Sequence, residues 1–168
     1  MKIAIVYFSL SGRTELLSGL AASAAREEKA GVAVFRLETG DTGSFIKNCM
    51  DAFGKKTAML KEVPDTKGFD MLFLCTPVWA FDITPAMRSF IGLSDLRGKG
   101  VFLMTTYGSG KGKERAMKSF ESLVREAGGE VLGKSELKGR KVIEEFDSTK
   151  GGIKKCLEQF RQTKPPGR

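Results

Sequence analysis

Short apolar runs rich in β-branched and aromatic residues alternate along this chain with segments whose apolar positions recur every three or four residues, and Gly, Ser and Pro mark the changeovers. Continuous short runs fit strands, and three-to-four spacing fits helices packed by one face. Repeated alternation of the two predicts an α/β fold with a parallel sheet. Residues 2–8 form the first expected strand. After a Ser/Gly turn, Leu16, Leu17, Leu20, Ala21, Ala24 and Ala25 line one face of a helix that stops near Gly31. Residues 32–37 read as the second strand. Phe45, Ile46, Cys49, Met50 and Phe53 fit a helix, with a polar connection from there to Pro64. Residues 69–76 are apolar enough for a third strand buried on both faces. Thr84 is placed to cap a helix that has Pro85 at its first position and Ala86, Met87, Phe90 and Ile91 on its buried side. Residues 101–105 form the fourth strand, followed by a loop over 106–112. A helix with Ala116, Met117, Phe120, Leu123, Val124 and Ala127 inward then ends at Gly128 and Gly129. Residues 130–137 are a weaker fifth strand. Ile153, Cys156, Leu157 and Phe160 mark a last helix before a tail, 163–168, expected to fray. Five strands and five helices occupy the length as one domain, 1–168.

Composition narrows the chemistry. Hydrophobic residues make up 41% and charged residues 29%, so the chain is expected to fold alone. No apolar run approaches the roughly 18 residues of a membrane helix, so no membrane insertion is expected. Lys2, the apolar residues 3–8 and the small residues 21–25 sketch a signal peptide, but Arg13 and Glu15 interrupt it. Cys49, Cys75 and Cys156 make neither a disulfide framework nor a CxxC pair, which points to a reducing cytoplasm. There is no histidine, which removes histidine triads, imidazole acid–base catalysis and nearly all common zinc arrangements. The chemistry is therefore expected to rest on something bound, with no catalytic protein nucleophile and no metal site. The net charge is +8, with the basic residues dispersed along the sequence and no aromatic interleaving. Solubility is the plain reading of that charge, and a nucleic-acid partner is not expected.

Ligands of an open parallel sheet bind beyond the carboxyl ends of its strands, which singles out the loops after strands one, three and four. The first, Ser9-Leu10-Ser11-Gly12-Arg13-Thr14, sets hydroxyls and a glycine before a helix, where free N–H groups can surround a phosphate. It has neither the GxGxxG nor the GxxxxGK[ST] pattern. Its alternative is a plain turn using Ser and Thr as caps. The second, Thr76-Pro77-Val78-Trp79-Ala80-Phe81-Asp82-Ile83-Thr84-Pro85, offers two aromatic rings, Trp79 and Phe81, to a flat ligand, and its alternative seats Trp79 in the core. The third, Thr105-Thr106-Tyr107-Gly108-Ser109-Gly110, places a tyrosine among glycines that let a ligand approach the backbone. Alternatively, Gly108 and Gly110 only shape a turn while Tyr107 covers a helix. Taken together, one phosphate-type loop and two aromatic loops at one end of a sheet imply a phosphorylated planar ring. Cys75 reads as core, and Asp82 reads as a solvated loop residue or helix-start charge.

With these three loops the sequence resembles the flavodoxin-like family. Residues 9–14 match its [ST]-x-[ST]-G-x-[ST] phosphate loop, and Thr76-Pro77-Val78-Trp79-Ala80 followed by Pro85-Ala86-Met87-Arg88-Ser89-Phe90 is similar to its second flavin loop and the helix after it. The resemblance covers essentially the whole chain, in the short form of the fold. It implies a three-layer α/β/α sandwich, a five-stranded parallel sheet in the order 2-1-3-4-5, and one noncovalent FMN. The phosphate would sit on residues 9–14, and the ring between the loop of Trp79, Ala80 and Phe81 and the loop of Tyr107, Gly108 and Gly110. Many members carry glycine near Phe81, where a peptide turns over toward the reduced ring; phenylalanine makes that movement costlier. Electron-carrier flavodoxins are typically acidic, unlike this chain. Positive charge from Arg13, Lys111 or Lys113 near the ring would make its second reduction easier than in an acidic carrier, an expectation that a very low measured potential overturns.

The first functional reading is an FMN-binding electron-transfer protein that passes one or two electrons to a redox partner protein or a small donor or acceptor. The second is an NAD(P)H-dependent reductase of quinones or flavins, with the basic loop around Lys111 and Lys113 attracting the nucleotide's phosphates. The third is a binding module that keeps the fold without flavin and holds an anionic partner on its basic surface.

Overall fold

The computed structural model describes residues 1–40 and 57–163. The strands are β1 (Lys2–Tyr7), β2 (Gly31–Arg36), β3 (Met71–Trp79), β4 (Asp82–Ile83), β5 (Gly100–Tyr107) and β6 (Glu130–Lys138). The helices are α1 (Arg13–Glu27), α2 (Pro85–Leu93), α3 (Lys113–Glu126) and α4 (Val142–Thr163), the last preceded by a 3₁₀ turn at Gly139–Lys141. The sheet runs β2-β1-β3-β5-β6 with every neighbouring pair parallel, and β4 folds back antiparallel on the end of β3. With β4 set aside, this is the expected order 2-1-3-4-5. The helix expected around Phe45 to Phe53 and the tail beyond Thr163 lie outside the described residues. None of the described helices is long and apolar enough to cross a membrane.

Two cores flank the sheet and define three layers. Ile3, Ile5, Met71, Phe73, Phe102 and Met104 face α1 and α4, while Ala4, Val6, Leu72, Leu74, Val101 and Leu103 face α2 and α3. The central strands are thus buried on both faces, which is why they read as unbroken apolar runs. Phe73, Phe90 and Phe120 are fully buried, each contributing about 1.5–3 kcal/mol from removal of apolar surface from water. Lys99 ties the approach to β3 against the start of β5, its Nζ donating to the carbonyls of Thr66 (2.9 Å) and Phe69 (2.8 Å).

Four local expectations are corrected. The buried face of α1 is Thr14, Leu17, Ser18, Ala21, Ala22, Ala24 and Ala25, with Leu16 exposed and Leu20 only partly covered. Ser18 belongs inside because its hydroxyl donates to the Glu15 carbonyl at 2.7 Å, so burial leaves no polar group unpaired. The third strand runs over Met71–Trp79 rather than 69–76, because the ladder to β5 continues through Pro77 after the ladder to β1 stops at Cys75. The segment after Thr76 is therefore a hairpin arm and not a loop. Finally, α4 begins at Val142, a full three turns before Ile153, and buries Val142, Phe146 and Thr149. Thr84 caps α2 as expected, its Oγ1 accepting from the Met87 N–H at 3.4 Å.

Candidate functional site

The carboxyl ends of β1, β3 and β5 present a row of buried threonines. Thr76 and Thr105 are register partners, Thr106 follows, and Thr14 reaches in from the first turn of α1. Thr14 Oγ1 and Thr106 Oγ1 lie 2.8 Å apart, joining the first loop to the third, and Thr76 Oγ1 and Thr84 Oγ1 lie 2.9 Å apart, closing the base of the hairpin. Among the described residues these bonds leave two buried hydroxyls without a protein partner, Ser9 Oγ and Thr105 Oγ1. An unpaired buried hydroxyl costs about 1–3 kcal/mol, so each is a position where a ligand atom would be stabilising.

Ser9 stands at the mouth of α1. Gly12 precedes the helix in the left-handed region (φ 79°) and no side chain caps it, so the first-turn N–H groups face outward without a side-chain acceptor. Leu10, Ser11, Gly12 and Arg13 are exposed around Ser9, which is 4% exposed. The alternative reading of this loop, a turn capped by its own Ser and Thr, is therefore not the structure adopted. Behind it, Arg36 Nη2 donates to the Ser9 carbonyl at 3.3 Å, and Glu15 accepts from Tyr7 Oη at 3.2 Å. Burial, then the nearby Glu15 carboxylate, pushes the Tyr7 phenol above its usual range.

The second loop is a two-residue β-turn. Trp79 pairs with Asp82, and Ala80 and Phe81 between them both have positive φ, 46° and 68°. Positive φ at both central positions is the requirement of a type I′ hairpin, normally met by Asn-Gly. Two residues carrying Cβ atoms hold it here at a cost of about 1–2 kcal/mol each. Trp79 takes the core alternative, edge-on to Phe8 with ring centroids 5.5 Å apart and only 7% exposed. Phe81 is the exposed aromatic, and it rests on Gly112, where an added Cβ would lie 2.1 Å from Phe81 Cδ1. Asp82 departs from its expected solvated role. It is buried and bonds Arg88 Nη2 at 2.8 Å through Oδ2, while its Oδ1 accepts from the Ile83 N–H at 2.8 Å. That ion pair locks the strained hairpin to α2.

In the third loop, Thr106 and Tyr107 complete β5 and the turn proper begins at Gly108. Gly108 and Ser109 are exposed, and Gly110, half-buried at φ 83°, approaches the Tyr107 ring. Lys113 Nζ lies 4.9 Å from the centroid of that ring, a cation–π distance, with Glu114 and Glu136 each 4.0 Å away. The structure thus brings all three loops to one end of the sheet. It adds residues the sequence reading missed: Gly112, the Asp82–Arg88 pair and the turn after β6. Gly139 of that turn sits where an added Cβ would lie 3.0 Å from Arg13 Cδ and 3.5 Å from the Tyr107 carbonyl. The run Lys138-Gly139-Arg140-Lys141 after a fifth strand was the available signal. Cys75, as expected, is core, with burial alone pushing its thiol far up.

The class of protein follows from the sheet order with these loops at its carboxyl end: a flavodoxin-like fold. Solved structures of the same architecture include a flavoprotein in complex with FMN from Lactobacillus acidophilus (18% identity, 85% of this chain and 97% of that one, TM-score 0.63). Others are a flavodoxin from the domain Archaea (17%, 94% and 98%, 0.64) and two-electron reduced flavodoxin from Megasphaera elsdenii (20%, 94% and 98%, 0.62). No match was found among curated proteins. The model of the NADPH-dependent FMN reductase family matches residues 1–141, and the chain belongs to that family.

Proposed function

We propose that this chain binds FMN at the carboxyl end of its sheet and uses it to pass electrons from NAD(P)H to an acceptor. The observation that carries the flavin part is the Ser9 hydroxyl, buried and unpaired beside the uncapped start of α1. An FMN phosphate satisfies that hydroxyl and the helix N–H groups together, so the residues present fit the group. Family membership supports the nicotinamide donor and sets the reductase ahead of the pure carrier that the sequence alone favours.

In this reading Ser9, Leu10, Ser11, Gly12, Arg13 and Thr14 hold the phosphate. Thr76, Pro77, Val78, Trp79, Ala80 and Phe81 bound the ring on one side, and Thr106, Tyr107, Gly108, Ser109 and Gly110 on the other. Bound FMN supplies one- and two-electron redox chemistry, which no side chain here offers. The threonine row gives a rigid floor, Trp79 and Phe8 keep water from beneath it, and Lys113 adds positive charge beside Tyr107. The test is steady-state NADPH oxidation by the FMN-reconstituted protein with a quinone acceptor. Sustained turnover supports the reading; flavin binding without NADPH consumption overturns the donor assignment and leaves a carrier.

A further inference from the structure

The charge of this molecule is concentrated at the mouth of the site. Residues 9–14, 106–115 and 138–141 together carry seven basic side chains and one acidic one, in a chain whose whole net charge is +8. Folding brings these segments together, although they are far apart in sequence. Tyr107 is the register partner of Lys138, Gly139 lies against Arg13, and Lys113 lies over Tyr107. Part of this charge is compensated: Lys113 has Glu114 and Glu136 at 4.0 Å, and Lys141 has Glu144 at 3.7 Å. Glu145 accepts from the Lys138 backbone N–H at 2.8 Å. Arg13, Lys111, Lys138 and Arg140 are exposed and have no carboxylate within ion-pair distance among the described residues. Elsewhere on the described surface, Lys61, Arg97, Arg125, Lys134, Lys150 and Arg161 are matched by a glutamate or aspartate, while Lys2, Arg26, Lys29, Lys67, Lys118, Lys154 and Lys155 are exposed without one; the rim stands apart by its net charge, seven basic against one acidic side chain out of a whole-chain +8.

We infer that this basic rim is a docking surface for an acidic electron-transfer protein, an inference that rests on the proposed flavin reading. The uncompensated cations lie on four separate segments around the mouth: the start of α1, the loop after β5, the end of β6 and the 3₁₀ turn. A single phosphate is gripped by donors converging on one point, whereas a ring of exposed cations matches an acidic protein face and steers it over the opening. Docking there brings the partner's redox centre toward the flavin pocket. With FMN held in the pocket, such docking would let the two electrons of one NADPH pass to two partner molecules, one each, giving NADP⁺ and a released proton.

The test is calorimetric titration of the FMN-loaded protein with a strongly acidic plant-type [2Fe–2S] ferredoxin in 20 mM and 200 mM NaCl. It is repeated on the variant Lys111→Glu/Lys138→Glu/Arg140→Glu, and a single-stranded thymidine oligonucleotide is titrated in parallel. The inference predicts ferredoxin binding that weakens at least about tenfold in the higher salt and about as much again in the variant, which is saturated with FMN before the titration. No binding of ferredoxin overturns it, as does binding equal in the wild-type and the variant. Oligonucleotide binding tighter than ferredoxin binding overturns it in favour of a nucleic-acid surface. Failure of the wild-type protein to take up FMN counts against the flavin reading instead, and the same ferredoxin titration on the flavin-free protein, whose rim is the same, then tests the docking surface by itself.

Discussion

Replacing Ser9 with alanine separates a ligand-binding hydroxyl from a structural one. Among the described residues Ser9 Oγ is buried and has no hydrogen-bond partner, so its removal breaks no bond between them and relieves a desolvated polar group. The expected change in stability is between zero and a gain of about 1 kcal/mol, well inside the 1–3 kcal/mol that an unsatisfied hydroxyl costs. On the proposed reading the same hydroxyl would donate to the FMN phosphate, and a hydrogen bond to a charged group contributes about 1.5–3 kcal/mol. Ser9→Ala should therefore weaken FMN binding about 10- to 150-fold, while the flavin-stripped variant melts no lower than wild type. Fluorescence titration of FMN gives the first quantity and thermal unfolding of the stripped protein gives the second. An FMN affinity within twofold of wild type together with a lowered melting temperature would refute the argument, because the hydroxyl would then serve the fold and not the ligand.

Other perturbations address the hairpin and the core. Ala80→Gly removes the Cβ from a residue at φ 46° and should stabilise the protein by about 1 kcal/mol, a rise of roughly 2–4 °C in melting temperature. Asp82→Ala strands Arg88 in a nearly buried position and should cost about 3 kcal/mol or more, whereas Asp82→Ala with Arg88→Met should cost less than the single change; denaturant unfolding measures both. Gly112→Ala drives a methyl into the Phe81 ring and Cβ at a residue with φ 73° and should cost about 1–3 kcal/mol, of which adding Phe81→Ala recovers only part, because the Cβ contact and the positive-φ strain remain. Burial pushes the Cys156 thiol up to about 12 and the Cys75 thiol further. Both stay protonated through neutral and mildly alkaline pH, so iodoacetamide at pH 8 should leave both unmodified in the native protein and label both in guanidinium, as read by peptide mass.

The sheet was legible in the sequence because its central strands are buried on both faces: a run such as Met71 to Cys75 has no polar position to blur it. The Thr84-Pro85 start of α2 was legible because a capping hydroxyl and a fixed φ are local chemistry. What escaped depended on partners distant in sequence. Ser18 looks like a surface residue until its hydroxyl bonds the Glu15 carbonyl, and Leu16 looks like core until the sheet selects the neighbouring stripe. The Ala80-Phe81 turn carries none of the glycine or asparagine that announces a type I′ hairpin, because the β3–β4 pairing and the Asp82–Arg88 ion pair impose positive φ on ordinary residues. The three loops of the candidate site were read correctly as meeting at one end of the sheet. Trp79's place beneath that end, and the basic turn after β6 beside Arg13, required the folded chain.

The most direct test of the central claim is a titration of free FMN with purified, flavin-stripped protein, followed by the flavin's own fluorescence. The account predicts saturable quenching at one flavin per chain, because the ring enters beside Tyr107, and a parallel rise in the melting temperature of the protein. Unquenched emission at micromolar protein, with an unchanged melting temperature, would contradict it and leave the Ser9 hydroxyl and the basic rim to serve some other anion.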